Sequence, residues 1–106
     1  MTRRTLQILL ALTDGPLHGY GIKQAVEERS AGRVLLGSGT LYEAVQRLES
    51  DGWIIEVAAP AGADDSGGPP RRYYALTTAG RTALSDELRG LDELVRWARE
   101  RALLRG

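Results

Sequence analysis

The chain contains no cysteine, no phenylalanine and one histidine among its 106 residues. The absence of cysteine excludes disulfides, thiolate nucleophiles and cysteine-ligated zinc sites. A single histidine removes most histidine-based metal sites as well. Lys and Arg together number 14, as do Asp and Glu, so the formal net charge is zero. This balance excludes a strongly basic, histone-like protein that coats polyanions.

Long hydrophobic runs are also missing. The apolar stretch that follows Arg3 and Arg4 is short, is interrupted by Gln7, and is not followed by a signal-peptide cleavage site. We therefore expect it to be the first helix of a folded cytoplasmic protein with no membrane partner. With 42% hydrophobic and 26% charged residues, the composition is that of one soluble globular domain.

Apolar spacing and turn residues predict four helices. The first covers residues 5–13 and is ended by Gly15-Pro16, because glycine suits a left-handed cap and proline cannot continue a helix. The second helix is predicted over 19–30 and the third over 40–51. The last is predicted to run from the threonine pair at 77–78 to about residue 104.

Three segments have the composition of strands. The shortest is 33–36, and the other two, 53–59 and 71–76, flank a loop at 60–70 that contains three prolines and three glycines. Such a loop joins the two longer strands as a hairpin. An all-α bundle is the rival fold, and it requires 53–59 and 71–76 to be helical on either side of that loop.

The order of these elements predicts an α+β, mainly α fold, namely a winged helix-turn-helix with a long C-terminal dimerisation helix. We expect residues 1–78 to form the DNA-binding part and residues 79–106 to form the dimerisation helix, in one integrated domain. About 28 helical residues have a length on the order of 40 Å. A compact domain of this size has a radius of gyration of only about 13 Å. The helix is therefore expected to extend beyond its own domain.

Apolar residues of the last helix advance by alternate steps of four and three, which is the spacing of a coiled-coil interface. The residues concerned are Leu84, Leu88, Leu91, Val95, Ala98 and Ala102. The first helix is apolar on two sides, and we expect Leu6 and Leu9 to join the same interface. The prediction is a homodimer, and the alternative is a monomer whose last helix folds back.

A small aromatic effector is a further candidate partner. Leu91, Leu94 and Trp97 are candidate ligand residues, because flat aromatic molecules stack on tryptophan and these residues can line a groove between two protomers. The alternative is that Trp97 only packs in the dimer interface.

The third helix carries the candidate DNA-reading surface. Leu41, Val45 and Leu48 define its buried side. Candidate DNA-binding residues on the remaining surface are Ser38, Thr40, Tyr42, Glu43, Gln46 and Arg47. Gln can recognise adenine, Arg guanine and Glu cytosine, whereas Tyr and Thr hydroxyls usually bind phosphate. The spacing alone is equally consistent with a solvated helix face.

The base of the hairpin adds positive charge. Arg71 and Arg72 stand beside Tyr73 and can contact phosphate or enter the minor groove, so all three are candidate DNA-binding residues. Asp64 and Asp65 lie in the loop, where a phosphate backbone would repel them. We therefore expect the tip of the loop to stay clear of the duplex.

The segment 39–54, GTLYEAVQRLESDGWI, resembles the PadR family of bacterial winged-helix transcriptional regulators. Three further segments agree with that family and occur in the expected order. They are LHGYGI at 17–22, RRYYALT at 71–77 and AGR at 79–81. The short chain after Gly80 resembles members with a single C-terminal helix.

The resemblance implies a homodimeric repressor on a pseudo-palindromic operator, in which the C-terminal helix pairs the protomers. It implies that Tyr42 is the tyrosine of the recognition helix and that Tyr73 and Tyr74 belong to the wing strand. Some members bind flat aromatic or phenolic compounds near the dimer interface and then release DNA. The chain departs from the family at Gly37-Ser38, where members often have Ser-Pro, and this affects the phosphate contacts of the first helical turn.

Nothing in the sequence indicates an enzyme or a bound cofactor. There is no histidine pair, glycine-rich phosphate loop or serine in a nucleophile elbow. His18 precedes the second helix and is interpreted as a turn or capping residue. The alternative function is a winged-helix module for protein–protein contact without operator binding, which the neutral charge and the acidic loop favour.

Overall fold

The computed structural model describes residues 1–63 and 71–105, and over these ranges the chain forms four helices and three strands. In chain order they are α1 (Arg3–Ala11), β1 (Leu17–His18), α2 (Gly19–Arg29), α3 (Ser38–Ser50), β2 (Ile54–Val57), β3 (Tyr73–Leu76) and α4 (Thr78–Glu100). This order confirms the predicted α+β, mainly helical winged helix-turn-helix fold with a long C-terminal helix. The predicted loop tip at Asp64 and Asp65 lies outside the described residues.

The sheet is antiparallel and has the order β1-β3-β2. Its central strand β3 pairs Tyr73 with His18 on one side and with Val57 on the other. The prediction of a strand at 33–36 is wrong, because the short strand that completes the sheet is β1. The apolar Val34 and Leu36 of this segment have a different role, since Leu36 is buried in the core and Val34 packs against it.

The segment between α2 and α3 is shaped by a tight turn. Ala31 and Gly32 both have positive φ, at 53° and 78°, which reverses the chain at the end of α2. The buried Ser30 then holds the chain, because its hydroxyl accepts a hydrogen bond from the Val34 N–H at 3.0 Å. The segment is thus fixed by side-chain contacts rather than by strand pairing.

The core collects both apolar sides of α1 together with apolar residues of the other helices and the sheet. Its buried apolar members are Leu6, Ile8, Leu9, Ala11, Leu12, Ile22, Val26, Leu36, Leu41, Val45, Leu48, Ile54, Tyr74 and Leu84. Because α1 packs against both α2 and α4, its two apolar sides are satisfied within the chain. The core thereby fixes α3 with one side inward and the other exposed.

Helix α4 begins at a capping threonine. The Thr77 hydroxyl accepts a hydrogen bond from the Gly80 N–H at 3.0 Å and donates one to the Gly52 carbonyl at 2.6 Å. The prediction that the helix runs to about residue 104 is wrong, because it ends at Glu100 and Ala102 has a φ of 58°. The last carbonyls are satisfied locally, since the Leu103 N–H donates to the Ala98 carbonyl at 2.9 Å.

The described part of the chain is elongated. Its principal extents are 55 × 28 × 26 Å and its radius of gyration is 15.6 Å, compared with about 13 Å for a compact chain of this length. The 23 residues of α4 account for the difference, because they span about 35 Å. Within the described ranges, none of the helices combines the length and the apolar character needed to span a bilayer.

Candidate nucleic-acid interface

Helix α3 presents one side to the core and the other to the surroundings. Leu41, Val45 and Leu48 are buried, as their spacing predicts. The helix begins two residues earlier than predicted, at Ser38. Gly37 is its N-terminal cap and has an extended backbone conformation, and the Gly37 carbonyl accepts a hydrogen bond from the Leu41 N–H at 2.9 Å. Thr40 therefore lies inside the first turn of the helix rather than at its N-terminal cap.

The candidate DNA-reading residues lie on the accessible side of α3. Ser38, Tyr42, Glu43, Gln46 and Arg47 are exposed, and Thr40 is half-buried. Within this group, the Gln46 amide Nε2 donates a hydrogen bond to the Tyr42 hydroxyl at 3.0 Å. The contact orders two exposed side chains one helical turn apart, and leaves one amide hydrogen and the amide oxygen of Gln46 accessible.

The wing is the hairpin formed by β2 and β3, and its base lies next to the start of α2. Arg71 and Arg72 are exposed and precede β3, while Tyr73 is half-buried within that strand. Because β1 pairs with β3, His18 lies opposite Tyr73, and the two rings meet edge to face at 5.3 Å between centroids. The same pairing places Arg71 Nη1 2.8 Å from His18 Nε2.

A cleft of about 510 Å³ opens between α2, α3 and the residues that precede β3. We call it the basic groove, and its lining includes His18, Lys23, Leu41, Tyr42, Arg71 and Arg72. Among the residues that the structure describes, no acidic side chain contributes to this lining. Arg71 and Arg72 beside a cleft with an apolar floor give it a positive potential that attracts anions, whereas the charge of Lys23 is offset by its ion pair with Glu27 at 3.3 Å.

Two titrating groups that line this groove, His18 and Tyr74, have shifted pKa values. The pKa of His18 is lowered, mainly because burial disfavours the charged ring and also because Arg71 is close. The pKa of Tyr74 is raised by burial and then by the nearby Glu49 and Glu56. At neutral pH the imidazole is therefore mostly neutral, and the phenol retains its proton.

A smaller cleft of about 180 Å³ lies on the other side of α3. It is formed by the N-terminal turn of α1, including Arg4 and Thr5, and by Thr40, Glu43 and Arg47 of α3. The start of α1 thus borders the exposed side of α3, and the charge of Arg4 adds to that surface.

The residues predicted for the dimer interface fall into two groups. Leu6, Leu9 and Leu84 are buried in the core of their own chain, and Ala102 lies beyond the end of α4. The heptad pattern therefore includes positions that pack intramolecularly. From position 88 to the end of α4, the apolar residues that remain accessible, which we call the α4 stripe, are Leu88, Leu91, Leu94, Val95, Trp97 and Ala98.

Two of the candidate ligand residues are well exposed. Leu94 is 65% and Trp97 is 52% exposed, whereas Leu91 is half-buried and packs against the core. The guanidinium of Arg101 lies 3.6 Å from the centre of the Trp97 ring, and Arg101 also donates to the Trp97 carbonyl at 3.2 Å. One face of the indole ring is thus covered by a cation within the chain.

Sequence reasoning identified the exposed side of α3 and the arginines of the wing, but it missed the contact between His18 and Arg71. These residues are 53 positions apart, and only the pairing of the two-residue strand β1 with β3 brings them together. The capping role expected for His18 is confirmed, because its Nδ1 accepts the Gly21 N–H at 3.0 Å. In the described part of the chain, no cluster of three or more potential metal ligands occurs.

The chain is similar in sequence and in structure to proteins that are named as transcriptional regulators. A family model described as the transcriptional regulator PadR-like family matches residues 8–86. A protein of Mycobacterium tuberculosis named transcriptional regulator Rv3488 is 36% identical over 91 residues, which cover 86% of the chain and 78% of that protein. An uncharacterized 37.1 kDa protein in transposon TN4556 of Streptomyces fradiae is 40% identical over 87 residues. That match covers 82% of the chain but only 22% of the transposon protein.

A solved structure of Bacillus subtilis PadR in complex with operator DNA is also similar. The TM-score is 0.65 at 25% sequence identity, and the alignment covers 79% of the chain and 45% of the Bacillus protein. The exposed side of α3 and the basic groove described above thus belong to a fold for which an operator complex is known.

Proposed function

The chain belongs to the PadR-like family of transcriptional regulators, and from that premise we propose that it is a homodimeric repressor that binds a pseudo-palindromic operator. The observation that carries the proposal is the continuous surface formed by the exposed side of α3 and the basic groove. This surface combines side chains that recognise bases with cations that bind phosphate, as sequence-specific DNA binding requires.

Base recognition is assigned to the middle of α3. Gln46 keeps an amide hydrogen and its oxygen free for the N7 and N6 groups of adenine, and Arg47 and Glu43 have the chemistry for guanine and cytosine. Helix α3 is exposed along this side and can enter a major groove, which is wide enough for a helix.

Phosphate contacts are assigned to the residues that surround the recognition side chains. The hydroxyls of Ser38, Thr40 and Tyr42 flank the exposed side of α3, and Arg71, Arg72 and Tyr73 lie at the base of the wing. Such contacts set the register of the protein on the duplex without reading its sequence. With no net charge on the chain, non-specific binding is expected to be weak.

Dimerisation is assigned to the α4 stripe. Leu88, Leu91 and Val95 occupy heptad positions of this projecting helix, and a second copy can cover them by coiled-coil packing. Leu94 and Trp97 are exposed beside these positions, where the partner can also cover them. A dimer presents two recognition helices to successive major grooves when they are about 34 Å apart. Self-association thereby explains how a small domain reads a pseudo-palindrome.

A small aromatic effector that binds near Trp97 would release DNA by a population shift. A ligand between the two α4 helices favours a spacing of the recognition helices that differs from one turn of DNA. Leu94, one helical turn before Trp97, and Leu91, which is half-buried, add apolar surface to the same helix. Titration with aromatic compounds, followed by tryptophan fluorescence and DNA affinity, tests this part of the proposal.

The test of operator binding is selection of DNA sites from a random pool, followed by gel-shift titration. Gln46→Ala and Arg72→Ala are expected to weaken binding to the selected site, whereas Arg29→Ala, an exposed arginine in the last turn of α2, is the matched control. Full binding by both test variants would refute the proposed reading surface.

A protein–protein module is the second candidate function, favoured by the zero net charge of the chain. It is supported if selection enriches no sequence and wild-type protein binds all duplexes with equal, weak affinity.

A further inference from the structure

We propose that His18 and Arg71 together bind one phosphodiester of the DNA backbone, where the start of α2 meets the wing. The proposal rests on the proposed function and extends it to a residue for which only a capping role is described above. It starts from the two short contacts of the imidazole ring, with the Gly21 N–H at 3.0 Å and with Arg71 Nη1 at 2.8 Å.

These two contacts make incompatible demands on a neutral imidazole. The ring has one nitrogen that accepts a hydrogen bond and one that donates, whereas a backbone N–H and a guanidinium only donate. His18 can therefore accept from Gly21 or from Arg71, but not from both. In the contact that is not a hydrogen bond, two N–H donors face each other. They are Arg71 Nη1 and His18 Nε2 at 2.8 Å in one tautomer, or Gly21 N and His18 Nδ1 at 3.0 Å in the other.

The capping bond is the contact that is retained. The Gly21 N–H lies in the first turn of a helix and is half-buried, and loss of an N-terminal cap costs about 1 kcal/mol. Arg71 is exposed and can turn to other acceptors. The proton of His18 then resides on Nε2, so that Nε2–H and the Arg71 guanidinium point to a common region.

An anionic oxygen that accepts from both donors resolves the repulsion between them. Hydrogen bonds from a cation to an anion are about twice as strong as neutral ones, so the pair gains most from a charged acceptor such as phosphate. The groups that face His18 do not oppose an anion there. They are Arg71 and Tyr73 from the wing, Tyr20 and Lys23 from α2, and Tyr42 across the basic groove. The carboxylate of Glu27 is held by Lys23 at 3.3 Å and does not line the groove.

The shape of the basic groove favours a DNA strand over a free anion. The cleft continues from His18 and Arg71 over the apolar floor at Leu41 to Tyr42 on α3, with a volume of about 510 Å³. A deoxyribose can pack on that floor while its phosphates contact the cations at the rim. A backbone strand would thus connect the wing contact with the recognition helix.

The single histidine of the chain makes the test direct. Nitrogen NMR of the full chain with labelled histidine reports the tautomer of His18 without overlap. We compare a duplex that carries the selected site, inorganic phosphate, and chloride at matched ionic strength. The duplex is expected to shift the ring resonances, to hold the proton on Nε2, and to raise the pH at which the ring titrates.

The variant His18→Asn separates the phosphate contact from the capping role. Asparagine is among the best N-terminal caps, but its short side chain lacks the donor that reaches toward Arg71. We expect it to fold as the wild type does and to weaken binding about three- to tenfold for duplexes of any sequence. Arg71→Ala is expected to weaken binding and to lower the steepness of the salt dependence by about 0.9.

The double variant shows whether the two residues act on the same phosphate. Its affinity is expected to fall little below that of Arg71→Ala, because the two effects are not additive when both groups contact one ligand. Additive losses would contradict the shared site.

Failure of this inference can be told apart from failure of the proposed function. If the wild-type protein binds its site while His18→Asn binds equally well and the ring resonances do not move, the inference is overturned and the function stands. If no duplex binds specifically, the function fails. In that case a shift with inorganic phosphate alone overturns the assignment of the site to DNA.

Discussion

The backbone of Gly80, in the first turn of α4, lies so close to the carbonyl group of Trp53 that a Cβ at position 80 would overlap its oxygen and carbon atoms. The same carbonyl accepts the Thr77 N–H at 3.1 Å, and the Thr77 hydroxyl donates to the Gly52 carbonyl. Because Gly52 and Trp53 lie just after α3, this junction fixes the start of α4 relative to α3.

The first prediction concerns this close contact. Gly80→Ala is expected to destabilise the protein by about 2–3 kcal/mol, because the Cβ meets backbone atoms that cannot rotate away. The matched control is Gly90→Ala in the same helix, where a Cβ has nothing within 4 Å. It should stabilise the protein by about 0.5–1 kcal/mol. Urea denaturation measures both, and equal effects of the two variants would contradict the role of the Trp53 contact.

The second prediction concerns the cap of α4. Thr77→Ala removes the acceptor of the Gly80 N–H and the donor to the Gly52 carbonyl, so we expect a loss of about 1–2 kcal/mol in the free energy of unfolding. Thr77→Ser retains the hydroxyl and should lose much less. If serine and alanine destabilise the protein equally, the hydroxyl is not what stabilises this junction.

The sequence predicts the side of α3 that faces the core, because Leu41, Val45 and Leu48 repeat with helical spacing and tertiary packing follows that spacing. It does not predict β1, since two residues are too few for any periodicity. The contact of His18 with Arg71 depends on that strand, and so it could not be found without the fold.

Helix α4 shows a second limit of sequence patterns. A heptad repeat identifies apolar positions on one side of a helix, but it does not state whether that side meets the same chain or another. Leu84 is buried within the chain, whereas Leu88, the next residue of the same repeat, is exposed. The end of the helix at Glu100 was also missed, because Ala102 adopts a positive φ that the sequence does not signal.

The third prediction is a pH dependence of stability that comes from His18. Its pKa in the folded protein is lowered by burial and then by Arg71, whereas the pKa of a histidine in the unfolded chain is about 6.5. The unfolded chain therefore binds more protons below this value, and the free energy of unfolding should decrease as the pH falls through about 6.5. Because the chain has one histidine, the stability of the His18→Asn variant should depend less on pH over this range.

The measurement is the midpoint of urea denaturation of both proteins at about pH 7.5 and about pH 5.5. An identical pH dependence of both would show that His18 is not responsible.

The fourth prediction concerns self-association through the α4 stripe. Leu94 is 65% exposed, so Leu94→Glu should leave the fold of one chain intact while placing a charge in the apolar dimer interface. Analytical ultracentrifugation at micromolar concentration is expected to show a dimer for the wild type and a monomer for the variant. Leu35→Glu is the control, because Leu35 is 66% exposed on the segment before α3. A wild-type monomer, or loss of the dimer in both variants, would contradict this interface.

The fifth prediction separates base reading from phosphate binding within the pair formed by Tyr42 and Gln46. Gln46→Ala should remove the preference for one base pair in the selected site, worth about 1–3 kcal/mol of discrimination, and should leave binding to the other positions unchanged. Tyr42→Phe removes the hydroxyl that accepts from Gln46 at 3.0 Å. Tyr42→Phe should weaken binding to all DNA sequences to a similar extent, because a phosphate contact carries no sequence information. Competition assays with single-base variants of the site measure both effects. If Gln46→Ala weakens every sequence equally and Tyr42→Phe alters the preference, the two roles are reversed, and the hydroxyl rather than the amide faces the bases.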